Sequence, residues 1–204
     1  QRAARRAQEG INGAMKPSRL RDALHRAVCF TTSHPVDVSN GRLFTDAIDF
    51  ELPGPLPLRF ERVYSSSLSW RNGVLGHGWS HSLDQEVWEE PAKVVYRAED
   101  GREIEFQLHD LPARRLQPGQ KFFHPVDRLT LCNLGQGSWE IETSDGIIRE
   151  FAPVAWRDGW RSRLVRKRTR DGHAIELSYD ERGCLEWVRD SGGRLIALQH
   201  DAWG

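Results

Sequence analysis

Histidines, neighbouring carboxylates and a dense run of arginines are the residues of this chain whose types and spacing could do chemistry. His77, His81, His109 and His124 invite a metal set, and His77-x-x-x-His81 has the spacing that brings two imidazoles to one side of a helix. Glycines flank His77 on both sides, which disfavours a helix there, and no glutamate occupies the position a zincin needs. Histidines that line turns and meet backbone groups are the favoured reading. Glu86, Glu89, Glu90, Glu99 and Asp100 could supply the two facing acids of a glycosidase. Glu89 and Glu90 are adjacent, however, and strand alternation sends neighbours to opposite faces; Glu103 and Glu105 share a face, the ordinary wet face of a strand. No Gly-x-Ser-x-Gly elbow, phosphate loop or dinucleotide fingerprint occurs. These residues designate no catalytic, cofactor-binding or metal-binding site, and no cofactor is expected.

The run from Arg161 to Arg170 carries six positive charges in ten residues. It could face nucleic acid, with Trp156 and Trp160 stacking on bases. The favoured alternative is a strand with a basic wet face, neutralised by glutamates on neighbouring strands through cross-strand pairs. Over the whole chain 29 basic and 29 acidic residues cancel, so no global charge draws it to nucleic acid or to a membrane surface.

The elements that must position these residues read mainly as strands. With 204 residues the chain can bury a core, and its 38% hydrophobic content and mean hydropathy of -0.62 are offset by eight Trp and eight Phe. Cys29, Cys132 and Cys184 are odd in number and widely spaced, which signals buried thiols in a reducing compartment rather than a disulfide framework. No run approaches the roughly 18 apolar residues of a membrane span, and no signal-peptide pattern follows the basic start. A chain made in the cytosol is expected.

Residues 1–29 differ in texture from the rest. Alanines and arginines predict a frayed helix over 1–9 and a second from Ser18, its N-cap, to Val28, with Leu20, Ala23, Leu24, Ala27 and Val28 on one stripe. From Phe30 onward the signals are strand and turn. Ser39-Asn40-Gly41 predicts a turn, Pro53, Pro55 and Pro57 an extended connector or edge, and Gly76-His77-Gly78-Trp79 a tight corner over the tryptophan. Three bends carry Asp-Gly with an apolar residue five places after the glycine: Gly101 to Phe106, Gly146 to Phe151 and Gly172 to Leu177. Around them Ile104, Phe106 and Leu108 alternate with Glu103, Glu105 and Gln107, and Ile175, Leu177 and Tyr179 with Ala174, Glu176 and Ser178. Leu111 to Gly119 reads as a loop. The expected fold is a meander of antiparallel hairpins with a short helical N-terminal arm. A strand turning at Asp201-Ala202-Trp203-Gly204 would leave an open edge, which points to a piece of something longer or to pairing with another chain.

Particular segments then carry a resemblance. His34-Pro35-Val36-Asp37-Val38-Ser39-Asn40-Gly41, the stretch Asp49 to Leu58, Tyr64-Ser65-Ser66 and Gly76-His77-Gly78-Trp79 together resemble the opening of bacterial Rhs (rearrangement hotspot, YD-repeat) proteins. Tyr179-Asp180-x-x-Gly183-x-Leu185 looks like the first of their YD repeats, and Arg189-Asp190-Ser191-Gly192-Gly193 follows in outline. The resemblance implies a polymorphic toxin carrier whose strands wind into a hollow β-cocoon around a C-terminal toxin. On that basis residues 1–29 are a helical arm or plug, 30–178 an Rhs N-terminal β domain, and 179–204 the first YD repeats. The implied role is a non-enzymatic shell or plug segment of a type VI secretion effector, cytoplasmic in the producing bacterium and then delivered into target cells. Implied partners are the remainder of the shell, the enclosed toxin, PAAR and VgrG spike proteins and a dedicated chaperone; no nucleic acid and no stable membrane span are expected. The alternative is a carbohydrate- or cell-surface-binding YD-repeat module in which exposed tryptophans stack on sugars.

Some members of that family carry Pro-Val-x4-Gly-Glu near this point, associated with N-terminal self-processing. Here Pro35-Val36 and Gly41 match, but Arg42 replaces the glutamate. Cleavage of a peptide bond needs a group that moves protons, and arginine keeps its proton at physiological pH. The full-length parent is therefore expected to remain uncut at this motif when its mass is measured; an Arg42-dependent cut upstream of Pro35 would show otherwise.

Overall fold

Hairpins need a residue that turns the chain back without strain, and glycine reaches the left-handed region that a side chain makes costly. The computed structural model describes residues 36–37, 42–156 and 159–200. Five turns among these residues share one pattern, at 98–102, 143–147, 169–173, 180–184 and 190–194. In each, the N–H of the first residue bonds the carbonyl four residues on, and the N–H of the fourth residue returns to the carbonyl of the first. The fourth residue is always glycine, with φ of 76° at Gly101, 79° at Gly146, 92° at Gly172, 79° at Gly183 and 85° at Gly193. The three Asp-Gly bends expected from sequence are thus members of a larger set. Where aspartate comes first, its carboxylate satisfies the turn directly: Asp180 Oδ1 accepts from the N–H groups of Arg182 and Cys184, and Asp190 Oδ1 from those of Gly192 and Arg194. Burial opposes the charge on Asp180, but these donors and the Arg182 guanidinium outweigh it and hold its pKa below the ordinary carboxylate value.

Around the turns lie β1 (Val36–Asp37), β2 (Arg42–Leu52), β3 (Leu58–Ser65), β4 (Asn72–Gly73), β5 (Gly76–His77), β6 (Trp79–His81), β7 (Glu86–Glu90), β8 (Lys93–Arg97) and β9 (Glu103–Gln107). They are followed by β10 (Lys121–His124), β11 (Leu129–Gly135), β12 (Ser138–Thr143), β13 (Ile148–Trp156), β14 (Gly159–Arg168), β15 (Ala174–Tyr179), β16 (Leu185–Arg189) and β17 (Leu195–Ala197). One sheet has the order β1-β2-β3-β6, a second is the β4–β5 hairpin, and the largest runs consecutively from β10 to β17 with β7, β8 and β9 attached through β14. The protein is mainly β, with antiparallel pairing, as the alternation predicts. The only helical element among the described residues is a 3-10 turn at Ser66–Leu68. The helical arm expected over residues 1–29, the Ser39-Asn40-Gly41 turn and the last four residues lie outside the described residues.

The chain divides into two units, Gln1–Ala47 with Arg62–Ser80, and Ile48–Glu61 with His81–Gly204. In the first, β1 pairs with β2 through Val36↔Leu43 and Asp37↔Arg42. The glycine-led corner also forms there. Gly78 has φ of 76°, and a Cβ at that position would meet the Tyr64 ring at 2.7 Å. Trp79 packs on Tyr64 at 5.3 Å between centroids, with the Arg62 guanidinium 5.8 Å from its ring.

The second unit holds the main core: Leu56, Leu58, Phe60, Val87, Val94, Tyr96, Ile104, Phe106, Leu131, Trp139, Ile141, Phe151, Leu164, Ile175, Leu177, Leu185 and Val188, all buried in one cluster. Burying each large apolar side chain stabilises by about 1.5–3 kcal/mol before entropy is counted. Residues five places after four of the five turn glycines supply a regular share of it, since Phe106, Phe151, Leu177 and Val188 are all buried. The strand pattern follows the expected alternation, with Ile104 and Phe106 buried and Glu103, Glu105 and Gln107 exposed. The stretch from Leu111 to Gly119 is a loop, as read, but it sends Leu116 into the core.

Two of the turn glycines are held to different standards. A Cβ on Gly172 meets nothing within 4 Å, whereas one on Gly183 would lie 2.2 Å from the Ala155 carbonyl oxygen and 2.9 Å from the Trp156 ring. Gly172→Ala is expected to cost about 1–2 kcal/mol from backbone conformation alone. Gly183→Ala adds about 1–3 kcal/mol of overpacking to that. Urea unfolding of the two variants tests the difference, and equal midpoints would remove the close approach at Gly183.

Candidate functional site: a buried arginine seam

The basic run lies on β14 as far as Arg168, and β14 is where the large sheet branches. Its Ser162 and Arg163 pair with Val87 and Glu86 of β7, whereas Arg166, Lys167 and Arg168 pair with Glu176, Ile175 and Ala174 of β15. Two strands therefore meet end to end along one edge of β14. The strand also carries a bulge, since Phe151 opposes Leu164 and Glu150 opposes Arg166, leaving Val165 as the extra residue. At the junction the N–H of Leu164 bonds the Gln85 carbonyl at 3.0 Å, and the Leu164 carbonyl accepts the Tyr179 hydroxyl at 2.6 Å. Backbone groups that an unbroken partner strand would satisfy are met by two different segments.

Arg163 fills the fork and is only 2% exposed. Its guanidinium donates to Asp84 Oδ1 at 2.9 Å and to the carbonyl of Gly183, and it lies 5.1 Å from the Trp156 ring and 4.7 Å from that of Tyr179. Burial disfavours its charge, but Tyr179, Asp84 and Glu86 outweigh that and hold its pKa above the ordinary arginine value. Burial pushes the Tyr179 phenol well up, against the pull of Arg163. The tyrosine and the turn glycine of the Tyr179-Asp180-x-x-Gly183 motif are thus both spent on one guanidinium.

The seam continues across β7 and β8. Glu86, 5% exposed, takes Arg97 at 2.7 Å on one side and Arg161 at 3.1 Å on the other. Arg97 lies 5.1 Å from the Trp88 ring and Arg161 5.6 Å from that of Trp156, so arginines alternate with aromatic rings and carboxylates from strand to strand. Further along, Arg149 reaches Glu99 at 3.4 Å and Thr143, and Lys167 reaches the same Glu99 at 3.7 Å. On the outer side Arg168 joins Glu140 and Glu150, Arg166 lies 3.9 Å from Glu176, and Arg170 meets Glu142. Exposed pairs such as Arg170–Glu142 are screened by water and add little, whereas removing one partner of a buried pair costs about 3–5 kcal/mol. The buried members decide how firmly the strands are joined.

The cross-strand neutralisation expected of the basic run is present: each of its six cations faces an acid. The expected wet face needs correction at Arg163, because the Trp156 and Tyr179 rings cover that position. Sequence reasoning missed Asp84, Arg97 and Arg149. Arg97 had a signal, since it ends the apolar run Val94-Val95-Tyr96; nothing in the sequence marks Asp84 as the partner of Arg163.

The other candidates are dispersed. His77 Nδ1 lies 3.1 Å from the Ser69 carbonyl oxygen, His124 Nδ1 accepts the Asp127 N–H at 3.3 Å, His81 is buried and stacked on Phe60, and His109 is exposed in a turn. Among the carboxylates of the glycosidase alternative, Glu90 takes the Trp88 indole and Lys93, and Asp100 takes Arg102. Cys132 and Cys184 are buried thiols, and burial with Glu140 nearby raises the pKa of Cys132; Cys29 lies outside the described residues. Trp160 is 75% exposed, whereas Trp156 carries two guanidinium groups.

Comparison with known proteins adds four findings. Residues 33–106 match the family described as "Domain of unknown function (DUF6531)". The chain is 25% identical over 185 residues to "Double-stranded DNA deaminase toxin A" of Burkholderia cenocepacia (strain H111), covering 88% of this chain and 12% of that protein. It is 31% identical over 174 residues to "Probable deoxyribonuclease RhsA" of Dickeya dadantii (strain 3937), covering 80% of this chain and 11% of that protein. It is also 31% identical over 181 residues to "Toxin protein Tse5" of Pseudomonas aeruginosa, covering 77% of this chain and 13% of that protein. The chain therefore spans between 11% and 13% of the length of these curated relatives.

The seam makes a test of its own. Arg163→Ala is expected to lower unfolding free energy by about 3–5 kcal/mol by leaving Asp84 buried without its cation. The double variant Arg163→Met with Asp84→Leu is expected to lose less than that. A loss below about 0.5 kcal/mol in Arg163→Ala, the range of ordinary surface changes, would show that the fork does not depend on this pair.

Proposed function

Because this chain belongs to the Rhs (rearrangement hotspot), or YD-repeat, polymorphic toxin family, we propose that it is a structural segment near the start of an Rhs-type shell. The parent would enclose and carry a C-terminal toxin and deliver it by type VI secretion. In this reading residues 30–178 are the N-terminal β domain of the shell and residues 179–204 its first YD repeats, with 1–29 as an arm or plug. The segment itself catalyses nothing. Its partners are the rest of the shell, the enclosed toxin, PAAR and VgrG spike proteins and a chaperone. The producing cell's cytoplasm holds it before delivery.

One observation supports this reading above the others. The ionisable groups of the seam are engaged in joining strands, with Arg163, Asp84, Glu86 and Arg97 buried between them. Such a seam suits a wall that must stay closed. The toxin names of the relatives describe whole proteins of which this chain matches a small part, so their activities are assigned to other parts of the parent.

A carbohydrate-binding module is the second reading, favoured by the exposure of Trp160. It is weakened at Trp156, whose ring Arg161 and Arg163 occupy.

The two readings part in experiment. In the full-length parent, Arg163→Ala is expected to let protease reach the C-terminal toxin at about a tenth of the concentration needed for the unaltered protein, as local opening becomes more populated. The activity of the isolated toxin should not change. Unaltered protection in a parent whose β segment is measurably destabilised would overturn the shell role. Micromolar glycan binding that disappears in Trp160→Ala would establish the alternative.

A further inference from the structure

Residues 53–57 join β2 to β3, and with prolines at 53, 55 and 57 they offer few N–H groups to any sheet. They are held instead by a turn far along the chain. The N–H of Leu56 donates to Ser191 Oγ at 3.0 Å, and the same hydroxyl donates to the Leu56 carbonyl at 2.7 Å. One serine thus does what a paired strand residue does when it exchanges both bonds with its opposite number. Arg194 donates to the Pro53 carbonyl while its Nε holds Asp190 at 2.6 Å. The approach is close: a Cβ on Gly54 would sit 2.8 Å from Ser191 Oγ. Beneath the segment Leu56, 4% exposed, enters the core.

We propose that residues 53–57 are a strap, that the Asp190–Arg194 turn is its latch, and that the strap lifts from the latch while the hairpins from β10 to β17 stay paired. The argument is one of connectivity. Each strand of that series pairs with its neighbour in sequence, and no ladder bond from β10 to β17 involves the strap. The bonds of the strap to its latch join residues 135 and 141 positions apart. Lifting breaks the two serine bonds and the Arg194 bond and uncovers Leu56, and it leaves every turn of the meander as it was. Small, separable openings of this kind lie at the low-energy end of native-state fluctuation. Asp190, Ser191 and Arg194 then have a role beyond closing a hairpin: the first repeat-like turn of this kind, at Asp180, grips Arg163, and the second grips the strap. The inference stands whether or not the chain lines a shell.

Hydrogen exchange followed by mass spectrometry on the whole chain tests it. In Ser191→Ala, peptides covering 52–58 are expected to exchange about tenfold faster, the effect of losing roughly one net hydrogen bond. Peptides covering β11, β12 and β13 should keep their rates. A Gly54→Cys, Ser191→Cys pair provides a locked form, in which oxidation should slow exchange over 52–58 relative to the reduced state and leave β11–β13 alone. Equal acceleration over β11–β13 in Ser191→Ala, or exchange over 52–58 that is indifferent to both changes, would overturn the proposal. Should Ser191→Ala fail to fold, the oxidised and reduced forms of the cysteine pair decide the matter by themselves.

Discussion

A cation removed from water must be matched where it lies, and in this protein that requirement falls on Arg163. The large sheet forks at β14 because one edge takes β7 and then β15, and a fork leaves backbone groups and space that no regular ladder fills. Arg163 occupies that space. It demands Asp84 as a counter-charge, two aromatic rings as walls and the Gly183 carbonyl as an acceptor. Those demands fix where β7, β13, β15 and the 180–184 turn stand in relation to β14. Buried ion pairs are weak as net stabilisers but strict about geometry, since a misplaced partner leaves a bare charge inside.

The turns supply the complementary constraint. Five short segments with a left-handed glycine, one between β8 and β9 and four between β12 and β17, turn consecutive strands back on one another, so much of this meander is specified by local sequence. That is why the strand alternation around Phe106 and Leu177, the Asp-Gly bends and the proline connector are legible in the sequence. Their signals are periodicity and turn chemistry, both of which reside in a handful of neighbouring residues.

What was not legible is non-local. Arg163 looks like any other member of a basic wet strand until the bulge at Val165 and the covering rings are seen. Asp84 sits in a loop with no pattern around it. The attachment of β7, β8 and β9 to β14 instead of to the next strand in sequence also has no local mark, and neither does the grip of Ser191 on Leu56. In each case the partner lies many strands away, and one sequence records the residue without recording what it meets. The tyrosine of the YD motif is the instructive exception: the sequence flagged it as a repeat marker, and its ring and hydroxyl serve the fork, not the turn it precedes.

The distance along the chain between Leu56 and Ser191 also has a bearing on time. A hairpin from β10 onward can close as soon as its own few residues have emerged during synthesis. The proline segment cannot, because its anchor follows 135 residues later. At about 5–20 residues per second that is a wait of roughly 7–27 s, during which Leu56 has no cover from that side. The order of events is therefore written into the connectivity: repeats first, fastening last, with a nascent interval in which an apolar leucine stands available to whatever helper the ribosome's surroundings provide.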